Sequence, residues 1–321
     1  MCFRARLLLA APLKFDCSRG SAVPSPSISV IVTAYNEGEE LGRTLRSVIG
    51  NTRHLAEVIV VDDGSDDGFC QTIATELVRV LRHDRRTGVA YSRDEASRAA
   101  RGDVLCYLDA HQRLSRGCLD RCAELAIARG AIVCPDVRDF GLFRWRLHGA
   151  EFRLCPKRGY FTARWRAWFT LPGVSEISGL RAPPYLLPRS LYPRLAWSQM
   201  LRGWGGSESA IAVKSFFTGI KIFHIAGPVA RHRFRSQFPY TTTWDEVWRN
   251  QAIIARVCFD DATWTRYWLP RVFDPHLTDE MRAELEGEEI QQEHQDFLEK
   301  KVRTDQQFWT ELLHRSTPSG I

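Results

Sequence analysis

The run Leu105-Cys106-Tyr107-Leu108 closes on Asp109-Ala110-His111, an apolar stretch that ends abruptly in two metal-binding side chains. Such a run reads as a buried strand, and a core tolerates Asp and His at its tip only where they reach solvent, a partner or a cation. In extended chain, side chains two residues apart share one face, so Asp109 and His111 can converge on a single ion. A plain polar turn is the alternative for an isolated D-x-H triplet. What stands before and after it gives the triplet its weight.

Before it, strand and helix patterns alternate. Ile28 to Thr33 is β-branched and leads through Ala34-Tyr35-Asn36-Glu37-Gly38 into a helical pattern with Leu41, Leu45, Val48 and Ile49. Glu57 to Val61 is the next strand, closed by Asp62-Asp63-Gly64-Ser65-Asp66-Asp67-Gly68. The spacing predicts a helix over Thr72 to Leu81, a short strand over Val89 to Tyr91, and a helix from Asp94 to Ala100. Alternation of this kind implies a parallel sheet, whose ligands bind beyond the carboxyl ends of the strands, where the polar turns fall.

A chain of 321 residues holds one large α/β domain or a domain with an appendage. The net charge of +6 is uneven: from Thr278 onward there are 11 acidic and 5 basic residues, leaving +12 on the body, which favours an anionic ligand. Nine cysteines without C-x-x-C pairs point to reduced thiols in a cytoplasmic protein; Cys118 and Cys122, at i and i+4, read as helix packing. No segment reaches the roughly 20 apolar residues of a membrane span. Residues 1–26, ending in Pro24-Ser25-Pro26, are expected to form a disordered leader.

The series ISVIVTAYNE, EVIVVDDGS, GVAYSRDEASRAARGD and LCYLDAH resembles the nucleotide-binding half of a GT-A glycosyltransferase of family 2. Its D-x-H form is more similar to the polypeptide N-acetylgalactosaminyltransferases than the usual D-x-D. Gly203-Trp204-Gly205-Gly206-Ser207-Glu208 and His232-Arg233-Phe234-Arg235 are similar to the W-G-G-E-N and G-H-x-F-R segments of the same enzymes. The resemblance implies an α/β, Rossmann-like, mostly parallel GT-A sheet over residues 27–240, followed by a helical extension over 241–321. It also implies a nucleotide sugar as donor, most readily a UDP-sugar.

The resemblance adds His232 to Asp109 and His111 as a third metal ligand, and this mixed nitrogen and oxygen set suits Mn²⁺ better than Mg²⁺, which remains the second choice. It places Asp62 and Asp63 on the uracil and ribose, with Thr33, Ala34, Tyr35, Asn36 and Glu37 around the base and Arg93 near the nucleotide. An Asp-Asp-Gly-Ser turn alone explains the acidic pair equally well. Gly205 and Gly206, after Trp204, allow close backbone approach at a helix N-terminus. Glu208 is then a helix cap, the acceptor's general base or a sugar-hydroxyl ligand. The polypeptide transferases carry Glu directly after W-G-G, whereas here Ser207 intervenes, so Glu208 matches the second acidic place of inverting family 2 members.

Arg138 to Arg202 carries 12 basic and 3 acidic residues with Trp145, Trp165, Trp168 and Trp197, a composition suited to an anionic acceptor or to a core edged by Arg. Pro183 to Pro188 predicts an edge strand. After Tyr240 the pattern is helical, and Asp279 to Arg315 is amphipathic, expected to pack on the basic body or on a second copy as a homo-oligomer. The acceptor is open among peptide, glycan and nucleic acid. Two alternatives stand beside a general transferase: an enzyme acting on a modified DNA base, and an inactive sugar-nucleotide-binding protein.

Overall fold

The computed structural model describes residues 25–140, 146–167, 173–235 and 239–318. Residues 1–24 of the expected leader, Trp145 and Trp168 lie outside that set. Strands β1 (Ile28–Ala34), β2 (Leu55–Asp62), β3 (Val78–Arg82) and β4 (Val104–Asp109) run parallel in the order β3-β2-β1-β4. Between them lie helices α1 (Glu39–Asn51) and α2 (Val89–Ala99). Val30, Ile31 and Val32 are fully buried, as are Leu105 to Leu108, so both faces of these strands are covered.

The remaining strands extend the same sheet. They are β5 (Gln112–Leu114), β6 (Ile132–Asp139), β7 (Arg146–Leu154), β8 (Phe161–Ala167), β9 (Val174–Ile177), β10 (Tyr185–Pro188) and β11 (Ile222–His232). From β4 the order continues β10-β6-β11-β5, with β7 on β6, β8 on β7 and β9 on β11. Helix α3 (Cys118–Arg129) packs on β6 and β10, burying Cys118 and Cys122 as expected for helix packing. A short helix α4 (Tyr192–Leu195) precedes α5 (Ser207–Phe217), and α6 (Trp244–Cys258) opens the C-terminal helices.

Three expectations are corrected. The segment predicted as a helix over Thr72 to Leu81 is a short 3₁₀ turn, Phe69–Thr72, followed by β3. Ile73, Leu77 and Leu81 mimic helical spacing, but the alternation Val78-x-Val80 pairs with Val58 and Val60 of β2. Val89 to Tyr91 is the first turn of α2 rather than a strand; Gly88, at φ 114°, breaks the chain just before it. The proline-flanked strand is central: β10 lies between β4 and β6, running antiparallel to β4. Its prolines fall outside the run Tyr185-Leu186-Leu187, so three residues remain to donate to the ladders.

The helices after Tyr240 share one core with the sheet. Phe161 of β8, Phe217 of α5, Phe259, Trp268 and Phe308 form a continuous aromatic cluster, with Phe161 and Trp268 rings 4.9 Å apart and Phe217 and Phe259 5.0 Å apart. The acidic helices Asp279–Leu285 and Glu288–Leu298 pack on α6, burying Leu285, Ile290 and Phe297.

Candidate active site

The carboxyl ends of β1, β2 and β4 open into a cleft of about 550 Å³, closed on the far side by the β7–β8 hairpin, the turn before α5 and the start of α6. Thr33, Ala34, Tyr35, Glu37, Asp63, Arg93, Asp109, His111, Trp204, Gly205, Gly206, Glu208 and His232 all line it. A hollow of similar size at the opposite strand ends, between Glu57, Val78 and Arg101, has no comparable cluster of imidazoles and carboxylates.

Asp109 is the hub. Its Oδ2 lies 3.1 Å from His232 Nε2, and its Oδ1 accepts from Arg93 Nη2 at 3.2 Å. Burial acts to raise the Asp109 pKa, but the His232 bond and charge, with Arg93 and His111, bring it down to about 2. The ligand atoms of Asp109, His111 and His232 lie within 4.8 Å of one another. His232 Nδ1 is buried without a hydrogen-bond partner; His111 Nδ1 stands 3.3 Å from Glu37 Oε1 without hydrogen-bond alignment. An ionised carboxylate and two under-used imidazoles at this spacing fit a divalent cation.

Arg93 does not precede a helix but sits inside α2, with its side chain buried. Nη1 donates to Glu208 Oε1 at 2.7 Å, to Ser207 Oγ at 2.9 Å and to the Tyr185 hydroxyl at 3.2 Å. One guanidinium therefore joins the metal-ligand candidate Asp109 to the general-base candidate Glu208. Glu208 lies in the first turn of α5, yet the N-cap there is Gly206 at φ 85° with no side-chain cap, so the simple capping role does not account for Glu208.

The two aspartates after β2 part ways. Asp63 Oδ1 accepts from the Thr87 amide and hydroxyl, both at 2.7 Å, and lies 2.8 Å from His83 Nδ1; Oδ2 accepts from the Gly88 amide at 2.8 Å. Burial opposes its ionisation, but these bonds hold its pKa below the ordinary value. Asp62 turns inward instead, fully buried on Ser65 N and Arg82, and does not line the cleft. Adjacent side chains on a strand point to opposite faces, so only one of the pair reaches the ligand side.

Glu37 is also engaged. Burial would raise its pKa, but His111 and a two-point ion pair with Arg235 lower it. That pair ties the His-Arg-Phe-Arg segment to the β1 loop. The turn before α5 is fixed from two sides. The Gly203 amide donates to Thr87 O at 2.9 Å, and a Cβ on Gly88 would meet Gly203 N at 2.3 Å. From α6, Asn250 Nδ2 donates to Arg202 O at 2.6 Å and Gly205 O at 3.1 Å.

The sequence reading missed the wall opposite the strands. Tyr160, Thr162, Trp165 and Arg181 line it, with Tyr240 and Trp244, and Arg86 stacks 4.3 Å over the Tyr240 ring. Only the aromatic and basic composition of the segment hinted at it.

The chain resembles known proteins in sequence and fold. The model for Glycosyl transferase family 2 matches residues 29–181. That stretch, a little under half of the chain, is similar to the family 2 glycosyltransferases. Polypeptide N-acetylgalactosaminyltransferase 3 of Drosophila melanogaster is 30% identical over 245 residues, 67% of this chain and 36% of that protein. Polypeptide N-acetylgalactosaminyltransferase 12 of Mus musculus is 30% identical over 243 residues, 67% of this chain and 41% of its own length. The chain thus spans well under half of these curated relatives.

Among solved structures, GalNAc-T7 with UDP, GalNAc and Mn²⁺ superposes with a TM-score of 0.68 at 21% identity, covering 90% of this chain and 57% of that one. S. aureus TarS 1-349 with UDP-GlcNAc gives 0.50 at 15% identity, covering 86% and 81%. These likenesses establish the GT-A-type fold. Among the described residues, no helix is long and apolar enough to cross a membrane.

Proposed function

We propose that the protein is a metal-dependent glycosyltransferase that moves a sugar from a UDP-linked donor to an acceptor hydroxyl. The observation that carries this reading is the convergence of Asp109, His111 and His232 at one strand-end cleft, with Glu208 joined to them through Arg93. Asp109, His111 and His232 would hold a divalent cation, Mn²⁺ in preference to Mg²⁺ because two ligands are imidazoles. Bound there, the ion supplies the positive charge that a departing diphosphate requires.

The protein's own groups do the rest. Asp63, rigid on Thr87 and Gly88, and the Thr33–Glu37 segment would hold the nucleoside. Asp62 is left as a strut of that turn. Trp204 and the glycine pair would bound the sugar, and Glu208, oriented by Arg93, would take the proton of the attacking hydroxyl. Sugar positioning without proton transfer is the competing role for Glu208.

The relatives are named for polypeptide acceptors and N-acetylgalactosamine, which supports an N-acetylhexosamine donor and a polypeptide as the first acceptor to try. The Trp165 and Arg181 wall would meet the acceptor. All seven described cysteines are unpaired and six are buried, which supports a reducing compartment such as the cytoplasm. Release of UDP from UDP-sugars, with Mn²⁺ and with EDTA, tests the reading. Metal-dependent release of UDP is expected, and binding without turnover on any donor would instead favour an inactive sugar-nucleotide-binding protein.

A further inference from the structure

A second cluster of metal-binding side chains lies inside the sheet, apart from the cleft. Asp136 of β6 lies 2.7 Å through Oδ1 from both His148 Nδ1 of β7 and His224 Nε2 of β11, and its Oδ2 accepts from the Gly227 amide at 3.3 Å. All three side chains are buried, and their ligand atoms lie within 4.8 Å of one another. They share no residue with the strand-tip group. His232 is in register with Asp139, three residues beyond Asp136 on β6, so roughly 10 Å of strand separates the two places.

We propose that Asp136, His148 and His224 form a second divalent-cation site, of zinc-type chemistry, that fastens the β7–β8 hairpin to the sheet. Two observations carry it. First, a buried carboxylate needs a counter-charge, and among the described residues no Arg or Lys forms an ion pair with Asp136. Second, the backbone is bent to bring the ligands together. β11 slips register between Ile225 and Val229, and β7 slips between Leu147 and Ala150, where Gly149 takes φ 72° and a Cβ would press on His224.

Two imidazoles and a carboxylate are a Zn²⁺ donor set and a poor one for Mg²⁺. A neutral hydrogen-bonded triad is the simpler alternative, and it would bind nothing. The two differ in consequence because β7 is joined to β6 by two register pairs, Val137 with Leu147 and Arg138 with Arg146. A cation bridging three strands would clamp the hairpin that carries Thr162 and Trp165 to the cleft wall.

The test uses the whole chain, stripped with a chelator and re-equilibrated with Zn²⁺, in the wild type and in the double variant Asp109→Ala/His232→Ala, which removes the strand-tip group. Elemental analysis should find about one equivalent of zinc still bound in the folded double variant, and Co²⁺ in its place should give the visible absorption of a nitrogen-coordinated ion. Adding His224→Gln should weaken that binding at least about tenfold, as loss of a ligand does. If that protein does not fold, anomalous scattering at the zinc edge from the double variant should place the ion between the three side chains. A folded double variant that binds no zinc, zinc retained after His224→Gln, or an anomalous peak elsewhere would overturn the site.

Discussion

The guanidinium of Arg93 stands 2.7 Å from the Glu208 carboxylate, a contact between the second turn of α2 and the first turn of α5. Because Arg93 also reaches Asp109, removing it leaves two carboxylates facing one another without their shared counter-charge. Arg93→Met is expected to cost roughly 3–5 kcal/mol of stability, the scale for breaking a buried pair, read by chemical denaturation. Arg93→Lys keeps the charge but not the fork that spans both carboxylates, so the fold should survive while kcat/KM falls at least about tenfold.

Glu208→Gln separates proton transfer from positioning. The amide keeps the size and hydrogen-bonding reach of the side chain but accepts no proton. Transfer should fall by about a hundredfold or more, with donor affinity near that of the wild type, as steady-state kinetics and calorimetry would show. Retained turnover would return Glu208 to sugar positioning.

His83 links Asp63 to Glu95, 2.8 and 2.6 Å away. The Asp63 bond, against some loss by burial, raises its pKa to about 8 from 6.5. A raised folded value means stability that is fully present below 6.5 and lost as pH rises through about 8, on the order of 1–2 kcal/mol. Thermal midpoints measured from pH 6 to pH 9 should decline across that window in the wild type, and the decline should flatten in His83→Gln.

Asn250→Ala tests whether the C-terminal helices build the cleft. The variant strands the carbonyls of Arg202 and Gly205 that Asn250 now satisfies, a loss of about 1–3 kcal/mol. Looser packing of the Trp204-Gly205-Gly206 turn should raise the donor KM more than it lowers kcat. A variant with wild-type stability and KM would show that α6 does not support the turn.

The strand tips were legible because apolar runs that end in Asp, Glu or His expose their chemistry in one dimension. Asp109, His111 and Asp63 were readable that way, whereas the choice between Asp62 and Asp63 depends on which face a strand end turns to the cleft. The β3 and α2 assignments failed where Ile73, Leu77 and Leu81 imitate a helical face and where Val89 reads as β-branched. Tyr160 and Thr162 reach the cleft by tertiary packing alone, and Asn250 supports it only through the Arg202 and Gly205 carbonyls, so no local pattern marks them. The motif points Arg93 to the nucleotide, whereas its contacts to Asp109 and Glu208 come from two segments 16 and 115 residues away.

The most direct test of the account is calorimetric titration of UDP into the wild type, Asp109→Ala and His232→Ala, each with Mn²⁺ and with EDTA. The wild type should bind UDP at least about tenfold more tightly with Mn²⁺, and both variants, folded by circular dichroism, should lose that difference. UDP binding that is indifferent to Mn²⁺ in the wild type, or a metal dependence that survives in both variants, would contradict a cation held by Asp109, His111 and His232 at the donor site.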